Sequence, residues 1–403
     1  MQLNIKTTMV CIGRFHIFDL ARELMKRDML KVIFTGYPGW KLNNEGIPTD
    51  RIRTFPWMQT PYMALGKWGL LGEGRLSREL AWYAHETLDH HVAKNFDETD
   101  VLFALSGSGR SCGRLAQQRG AKYICDRGSS HIRYQDSLLR EEFARWGESF
   151  PGIDRRFIAK EETEYATANL VTVPSTFSYR SFVKMGVPES KVRKVPYGVN
   201  IRRFEKVVDP KPDHFDVLFV GQVGFRKGVP DLLEGFARLR HPKKRLRLVG
   251  GMCHEMVRYL RKLPEPEHVE FLGHVPQPKL KDIMSRSHVM VLPSVEEGLA
   301  LVQAQALACG CPVIGTPNTG ADDLFTNGKE GFIVPIRDPQ TIANRLQLLA
   351  DSPDHRSAMS KAALQRVAQL RGWSDYGERM AGVLQELVYE KSSDKNKNPK
   401  SMI

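Results

Sequence analysis

Short apolar runs of strand character alternate with helix-patterned segments along nearly the whole chain, and this alternation restricts the fold more than any other feature. Strands that are each followed by a helix pair in parallel rather than as hairpins, with helices covering the faces of the sheet. In the first half the pattern predicts strands at 8–12, 31–35, 101–105, 123–125 and 170–173, and helices at 18–26, 77–93, 110–118 and 161–168. In the second half it predicts strands at 216–220, 245–249, 269–272, 289–292, 312–315 and 331–334. Helices there are expected at 229–239, 254–262, 278–286, 301–309, 339–350 and from 373 onward.

A chain of 403 residues exceeds one comfortable core, so two α/β domains are expected. Val195-Pro-Tyr-Gly-Val-Asn200 interrupts the pattern and charged, loop-like residues follow at 202–215, which places the boundary after residue 200. The expected division is a first Rossmann-like domain at 1–200 and a second at 201–372. A helix at 373–390 is expected to pack back toward the first domain, and the polar, basic tail 391–403 to be disordered.

No stretch approaches the roughly 20 apolar residues that cross a bilayer. The opening residues read as a buried strand rather than a signal peptide, so a cytoplasmic protein is expected. Six scattered cysteines without a C-x-x-C pair give neither a disulfide framework nor a zinc site. The net charge of +13 calls for an anionic partner. No zinc finger, RNA-recognition or basic-zipper pattern accompanies it. A phosphate-rich substrate, with an anionic membrane face, accounts for the charge better than nucleic acid.

The strongest local signal is Pro293-Ser-Val-Glu-Glu-Gly-Leu-Ala-Leu-Val302, where a strand runs through a tight turn into a helix. Loops at strand C-termini of parallel sheets bind ligands, and a helix start there presents N–H groups to phosphate. Glu297 stands at that mouth, placed to accept from sugar hydroxyls. The bland reading is an ordinary crossover with a helix-capping glutamate. The second signal is Val220-Gly-Gln-Val-Gly-Phe-Arg-Lys-Gly228, in which Arg226 and Lys227 leave a strand together and can hold a diphosphate. It is not a Walker A loop.

Taken in order, Val173-Pro-Ser175, Val195-Pro-Tyr-Gly-Val-Asn200, Val220-Gly … Arg-Lys-Gly228, Phe271-Leu-Gly273 and Pro293-Ser … Glu297-Gly298 … Ala308-Cys-Gly-Cys-Pro-Val-Ile314 resemble glycosyltransferase family 4. The resemblance covers roughly residues 8–390. It implies an α/β fold of the GT-B kind, two Rossmann-like domains with parallel sheets facing across a cleft. It implies a hexosyltransferase-type enzyme that retains anomeric configuration and needs no metal or cofactor, a nucleoside-diphosphate-sugar being its substrate.

Carried over residue by residue, Lys227 with Arg226 would bind the donor diphosphate and Glu297 the hydroxyls of the transferred sugar. Gly298, Leu299 and the backbone N–H groups of Ala300, Leu301 and Val302 would face the phosphates. His274 and Val275 would lie along the base. Two departures stand out: Gln222 where the family usually has arginine, and Gln305 where a second glutamate contacts the ribose. His131, ending Asp126-Arg-Gly-Ser-Ser-His131, resembles the histidine that reaches the donor sugar across the cleft, and a structural histidine is the alternative. Gly13, in Gly13-Arg-Phe-His16 after the first strand, suits close backbone approach to a ligand.

The acceptor implied is a glycan or lipid-linked sugar of cell-surface polysaccharide assembly. The rival in another class is a catalytically inert nucleotide-sugar-binding protein, which Gln305 would suit. His85, Glu86, Asp89, His90 and His91 have helical spacings open to a metal, but the segment reads as a solvated helix face. Between Arg51 and Arg78, Trp57, Tyr62 and Trp68 mix with cations, which fits either a membrane headgroup layer or a loop packed on its own domain.

Overall fold

The computed structural model describes residues 5–395 except Gly69, Glu73, 200–202 and Arg371. Seven strands form the first sheet: β1 (Thr7–Cys11), β2 (Leu30–Thr35), β3 (Ile52–Thr54), β4 (Val101–Leu105), β5 (Lys122–Asp126), β6 (Leu170–Val173) and β7 (Val192–Lys194). Six form the second: β8 (Phe215–Val220), β9 (Lys244–Val249), β10 (Val269–Gly273), β11 (Val289–Leu292), β12 (Val313–Gly315) and β13 (Gly331–Ile333). The strand orders are β3-β2-β1-β4-β5-β6-β7 and β10-β9-β8-β11-β12-β13. Every pairing is parallel, from Thr8↔Val32 between β1 and β2 to Ile314↔Phe332 between β12 and β13. The expected architecture of two parallel sheets with helices is therefore the one observed.

Central strands are buried on both faces because helices cover both, which is why they read as largely apolar runs. All five residues of β1 and all four of β11 are buried. The sheet order reverses between β1 and β4 in one domain and between β8 and β11 in the other. Such switch points open a crevice at the strand C-termini. Four loops leave these strands: 12–16, 106–109, 221–228 and 293–301.

The helix Trp373–Lys395 packs on Ile17–Lys26 of the first domain, burying Tyr376, Met380 and Leu384 with Tyr197 and Phe204 in one cluster. Gly377 permits this approach, since a Cβ there would stand 2.4 Å from Glu23 Cβ. Arg27 donates to the Ser374 carbonyl at 2.8 Å. One expectation is corrected. The helix continues through 391–395, where a disordered tail was expected, and 396–403 lie outside the described residues, as does Asn200 at the boundary. Phe204, in the stretch read as charged loop, is buried.

The 85–91 segment is not a solvated face either. Ala84, Leu88, Asp89 and Val92 are buried. Asp89 accepts the Ser111 and Cys112 N–H groups at 2.9 Å each. His85 Nδ1 bonds the Gly107 carbonyl at 2.9 Å, and burial pushes its pKa down to about 4. The histidine and the aspartate both anchor the loop after β4. None of the six cysteines forms a disulfide, and five are buried.

Candidate donor and transfer site

β8 ends in a loop whose course is fixed by glycine. Phe225–Lys227 makes one turn of 3-10 helix, and Gly228 then takes φ +66 before the helix Val229–Arg238. A Cβ on Gly228 would stand 2.1 Å from the Pro293 carbonyl oxygen, so only glycine lets the two switch-point loops touch. The Val295 N–H donates to the Arg226 carbonyl at 2.9 Å, locking the loop after β8 to the loop after β11. Arg226 and Lys227 are thereby delivered to the two glutamates that follow β11.

Lys227 forms an ion pair with Glu297, and Arg226 Nη1 lies 3.7 Å from the other Glu297 oxygen. Burial, with Arg226 alongside, pushes the Lys227 ammonium down to about 7. The Glu297 carboxylate in contact with it works against that shift. Ser294 Oγ donates to Glu297 at 3.3 Å. Two cations and one carboxylate thus share one small volume at the strand ends.

Glu296, its neighbour, was not singled out in the sequence, yet it joins the domains. It is fully buried and accepts from Ser129 Oγ (2.5 Å), Ser130 Oγ (2.7 Å), the Ser130 N–H (3.3 Å) and Gln135 Nε2 (2.8 Å), all of the first domain. Arg226 adds a contact at 3.4 Å from its own domain. Burial raises the carboxyl pKa, but Arg226 and these donors outweigh it and hold Glu296 below its usual range. The signal available in sequence was the Glu296-Glu297 doublet beside a Ser-Ser pair, which fixes no geometry without the fold.

Gly298 meets the same loop. A Cβ there would stand 1.9 Å from the Gly128 carbonyl oxygen, and the Gly298 carbonyl accepts from Ser175 Oγ at 2.6 Å. Arg127, paired with Glu161 at 2.7 Å and donating to Gln135 (2.8 Å) and the Ser130 carbonyl (3.0 Å), holds 128–131 in shape. The helix Ile132–Arg145 then bridges the domains: Arg145 pairs with Asp231 at 2.6 Å and Glu142 with Arg337 at 2.7 Å.

The remaining sequence candidates fall variously. His131 is buried, caps the helix Ile132–Arg145 by accepting the Arg133 N–H on Nδ1 at 3.3 Å, and packs on Tyr165 and Phe182. Burial pushes its pKa down to about 4, so at neutral pH the ring is uncharged and Nε2 carries the proton. Leu299 and Ala300 are buried. The Ala300 N–H donates to the Thr319 carbonyl at 3.0 Å, which corrects its assignment to phosphate. Leu301 caps the helix Val302–Ala308, on which Gln305 is half-buried. Gln222 and His274 are exposed beside the cleft, and Val275 is half-buried. Gly13 is buried beneath the Phe15 ring. The structure therefore gathers Arg226, Lys227, Glu297 and Gly298 against 128–131, with Glu296 as the link.

Two Rossmann-like domains whose switch-point loops meet across a cleft define the GT-B class of glycosyltransferase. Residues 200–366 match the family of "Glycosyl transferases group 1". The chain is similar to a D-inositol 3-phosphate glycosyltransferase of Kribbella flavida, 24% identical over 89% of this chain and 86% of that one. It is also similar to a glycogen synthase of Mycobacterium tuberculosis, 28% identical over 43% of each. Among solved structures, a sucrose-phosphate synthase from Thermosynechococcus elongatus superposes with a TM-score of 0.70 at 20% identity, covering 96% of this chain and all of that one. HepE of Anabaena, solved in complex with UDP and glucose, gives 0.66 at 16% identity, covering 95% and 100%.

Proposed function

We propose that this glycosyltransferase moves a sugar from a nucleoside-diphosphate donor to a hydroxyl acceptor with retention of configuration, as in family 4. The observation that carries the reading is the meeting of Arg226, Lys227 and Glu297 at the second domain's switch point. In this reading the donor diphosphate takes the two cations from Glu297. The freed carboxylate accepts from hydroxyls of the transferred sugar, and two side-chain cations serve where other enzymes use a metal. As the bond from the anomeric carbon to the phosphate oxygen breaks, negative charge grows beside Lys227 and Arg226, where fixed cations stabilise it most. The acceptor hydroxyl attacks from the leaving-group face, and its proton passes to the departing diphosphate. His131, with Nε2 protonated, is suited to donate to a sugar hydroxyl.

That HepE was solved with UDP and glucose supports a nucleoside-diphosphate-sugar donor for this chain. A glycan or lipid-linked acceptor suits the exposed aromatics around the helix Gln59–Lys67, the segment read as either membrane-facing or self-packed. Trp57 and Trp68 are 74% and 69% exposed, which favours the membrane-facing alternative, at the inner face of an anionic bilayer. No helix among the described residues is long and apolar enough to cross a membrane. The inert-binder reading rests on Gln305. Screening nucleoside diphosphates and their sugars by thermal shift, then product release with the stabilising donor, tests the proposal. Stabilisation without any turnover favours the inert binder.

A further inference from the structure

The first domain carries a second concentration of positive charge, apart from Arg226 and Lys227. The helices Arg75–Asn95 and Arg155–Thr167 lead into β4 and β6, so in this parallel sheet both begin at the C-terminal edge that faces the cleft. Between their first turns and the helix Ile132–Arg145 lies an open cavity of about 910 Å³. Five arginines line it: Arg75, Arg78, Arg140, Arg155 and Arg156. The carboxylates among the described lining residues are Glu79 and Asp154, and both pair with Arg156 at 2.7 Å. Arg140 is held by Asp136 at 2.7 Å. Arg78 donates to the Pro151 carbonyl at 3.2 Å and has no ion pair within 4 Å among the described residues, although its charge is felt by Asp154. Arg75 and Arg155 are exposed and have no ion pair among the described residues.

The backbone adds to this field. Neither helix has an acidic residue in its first turn; the Gly74 cap brings no side chain to the free N–H groups of the first helix, whereas Asp154 caps the second by accepting the Arg156 N–H at 2.9 Å. A first turn ordinarily favours carboxylates because it bears partial positive charge. In the helix Arg75–Asn95, Arg75 and Arg78 stand there instead, an arrangement that an anion in the cavity would relieve. Arg140 lies nine residues along its helix from His131, about 13 Å at 1.5 Å per residue. An anion bound beside Arg140 therefore sits on the transfer side of the molecule yet well away from the reacting hydroxyl. The volume exceeds what a lone phosphate fills and suits a phosphate with a sugar attached.

We propose that this arginine cavity is a subsite for the phosphate or diphosphate group of a phosphorylated acceptor. The acceptor role rests on the transferase reading; the anion binding does not. Calorimetry with inorganic pyrophosphate on the full chain tests it. Lys227→Ala, which weakens the donor site, is expected to keep binding pyrophosphate, and adding Arg75→Ala with Arg155→Ala to weaken that binding at least about tenfold. Those two exposed substitutions alone leave nucleoside-diphosphate affinity within about twofold, which also shows that the protein is folded. Cosedimentation with phosphatidylglycerol vesicles separates the sources. If the double substitution also abolishes vesicle binding, the phosphate belongs to a lipid headgroup; if vesicle binding is unchanged, to a soluble acceptor. Pyrophosphate affinity unchanged by the two substitutions, or absent in Lys227→Ala at millimolar concentration, overturns the subsite. A subsite that behaves as expected in a protein that transfers no sugar retains the anion site and removes only the transferase reading.

Discussion

Gly298→Ala is the smallest substitution that separates the two domains. The Cβ it adds would stand 1.9 Å from the Gly128 carbonyl oxygen, 2.7 Å from the Gly128 carbonyl carbon and 3.2 Å from Ser129 Cα. These are backbone atoms of a loop held by Arg127 and Glu296, and no side chain can swing aside to relieve the clash. Ordinary contact begins near 3.4 Å, so the loops must part by about 1.5 Å. A displacement of about 1 Å at a reacting centre can cost about a hundredfold in rate, or about 2.7 kcal/mol. The buried clusters around β4–β6 and around β8–β11 each lie within one domain, and the groups read as holding nucleoside diphosphate (Arg226, Lys227 and Gln305) all belong to the second, so its binding is expected to remain within about threefold. Steady-state kinetics beside calorimetry and small-angle scattering check this, with kcat falling while the radius of gyration rises. A Gly298→Ala enzyme with wild-type kcat would refute the reasoning, because the contact would then not set the transfer geometry.

Other expectations follow from the same arrangement. Gln305 makes no side-chain hydrogen bond among the described residues, so it is available to ribose as one acceptor and one donor. Charged hydrogen bonds exceed neutral ones by about 1 kcal/mol, so Gln305→Glu should bind nucleoside diphosphate equally or several-fold tighter, and Gln305→Ala more weakly. Calorimetry on the three proteins decides, and tighter binding by Gln305→Ala would remove the residue from the site. Trp57→Ala with Trp68→Ala is expected to lower binding to anionic liposomes without moving Tm; a protein that ignores such liposomes at low salt sinks the membrane-facing reading. Activity is expected to survive exhaustive chelation, and loss on EDTA with rescue by manganese or magnesium contradicts a cation role for Lys227 and Arg226 alone.

The parallel architecture and the site loops were legible because buried strands are mostly apolar and glycine marks where they turn. The three-residue edge strands β3 and β7, Ile-Arg-Thr and Val-Arg-Lys, were missed, since a charged residue in so short a run erases the pattern. The helix Ile132–Arg145 was missed for a related reason. Its buried face includes Asp136 and Glu142, whose partners Arg140, Arg145 and Arg337 make burial tolerable but interrupt the apolar stripe of Ile132, Leu138 and Leu139. Glu297 was found through its motif. Glu296 was not, because its partners Ser129, Ser130 and Gln135 lie more than 160 residues away and meet it only once the domains close.

The central claim is that Lys227 meets the donor diphosphate as charge develops. Single-turnover transfer by wild type and Lys227→Ala, with whichever nucleoside-diphosphate-sugar stabilises the protein, tests it most directly. A loss of about 2–4 kcal/mol in transition-state stabilisation, roughly 30- to 1,000-fold in rate, is predicted for removal of one such charge. The loss should fall on the transfer step more than on binding. Transfer by Lys227→Ala within a few-fold of wild type would contradict the account.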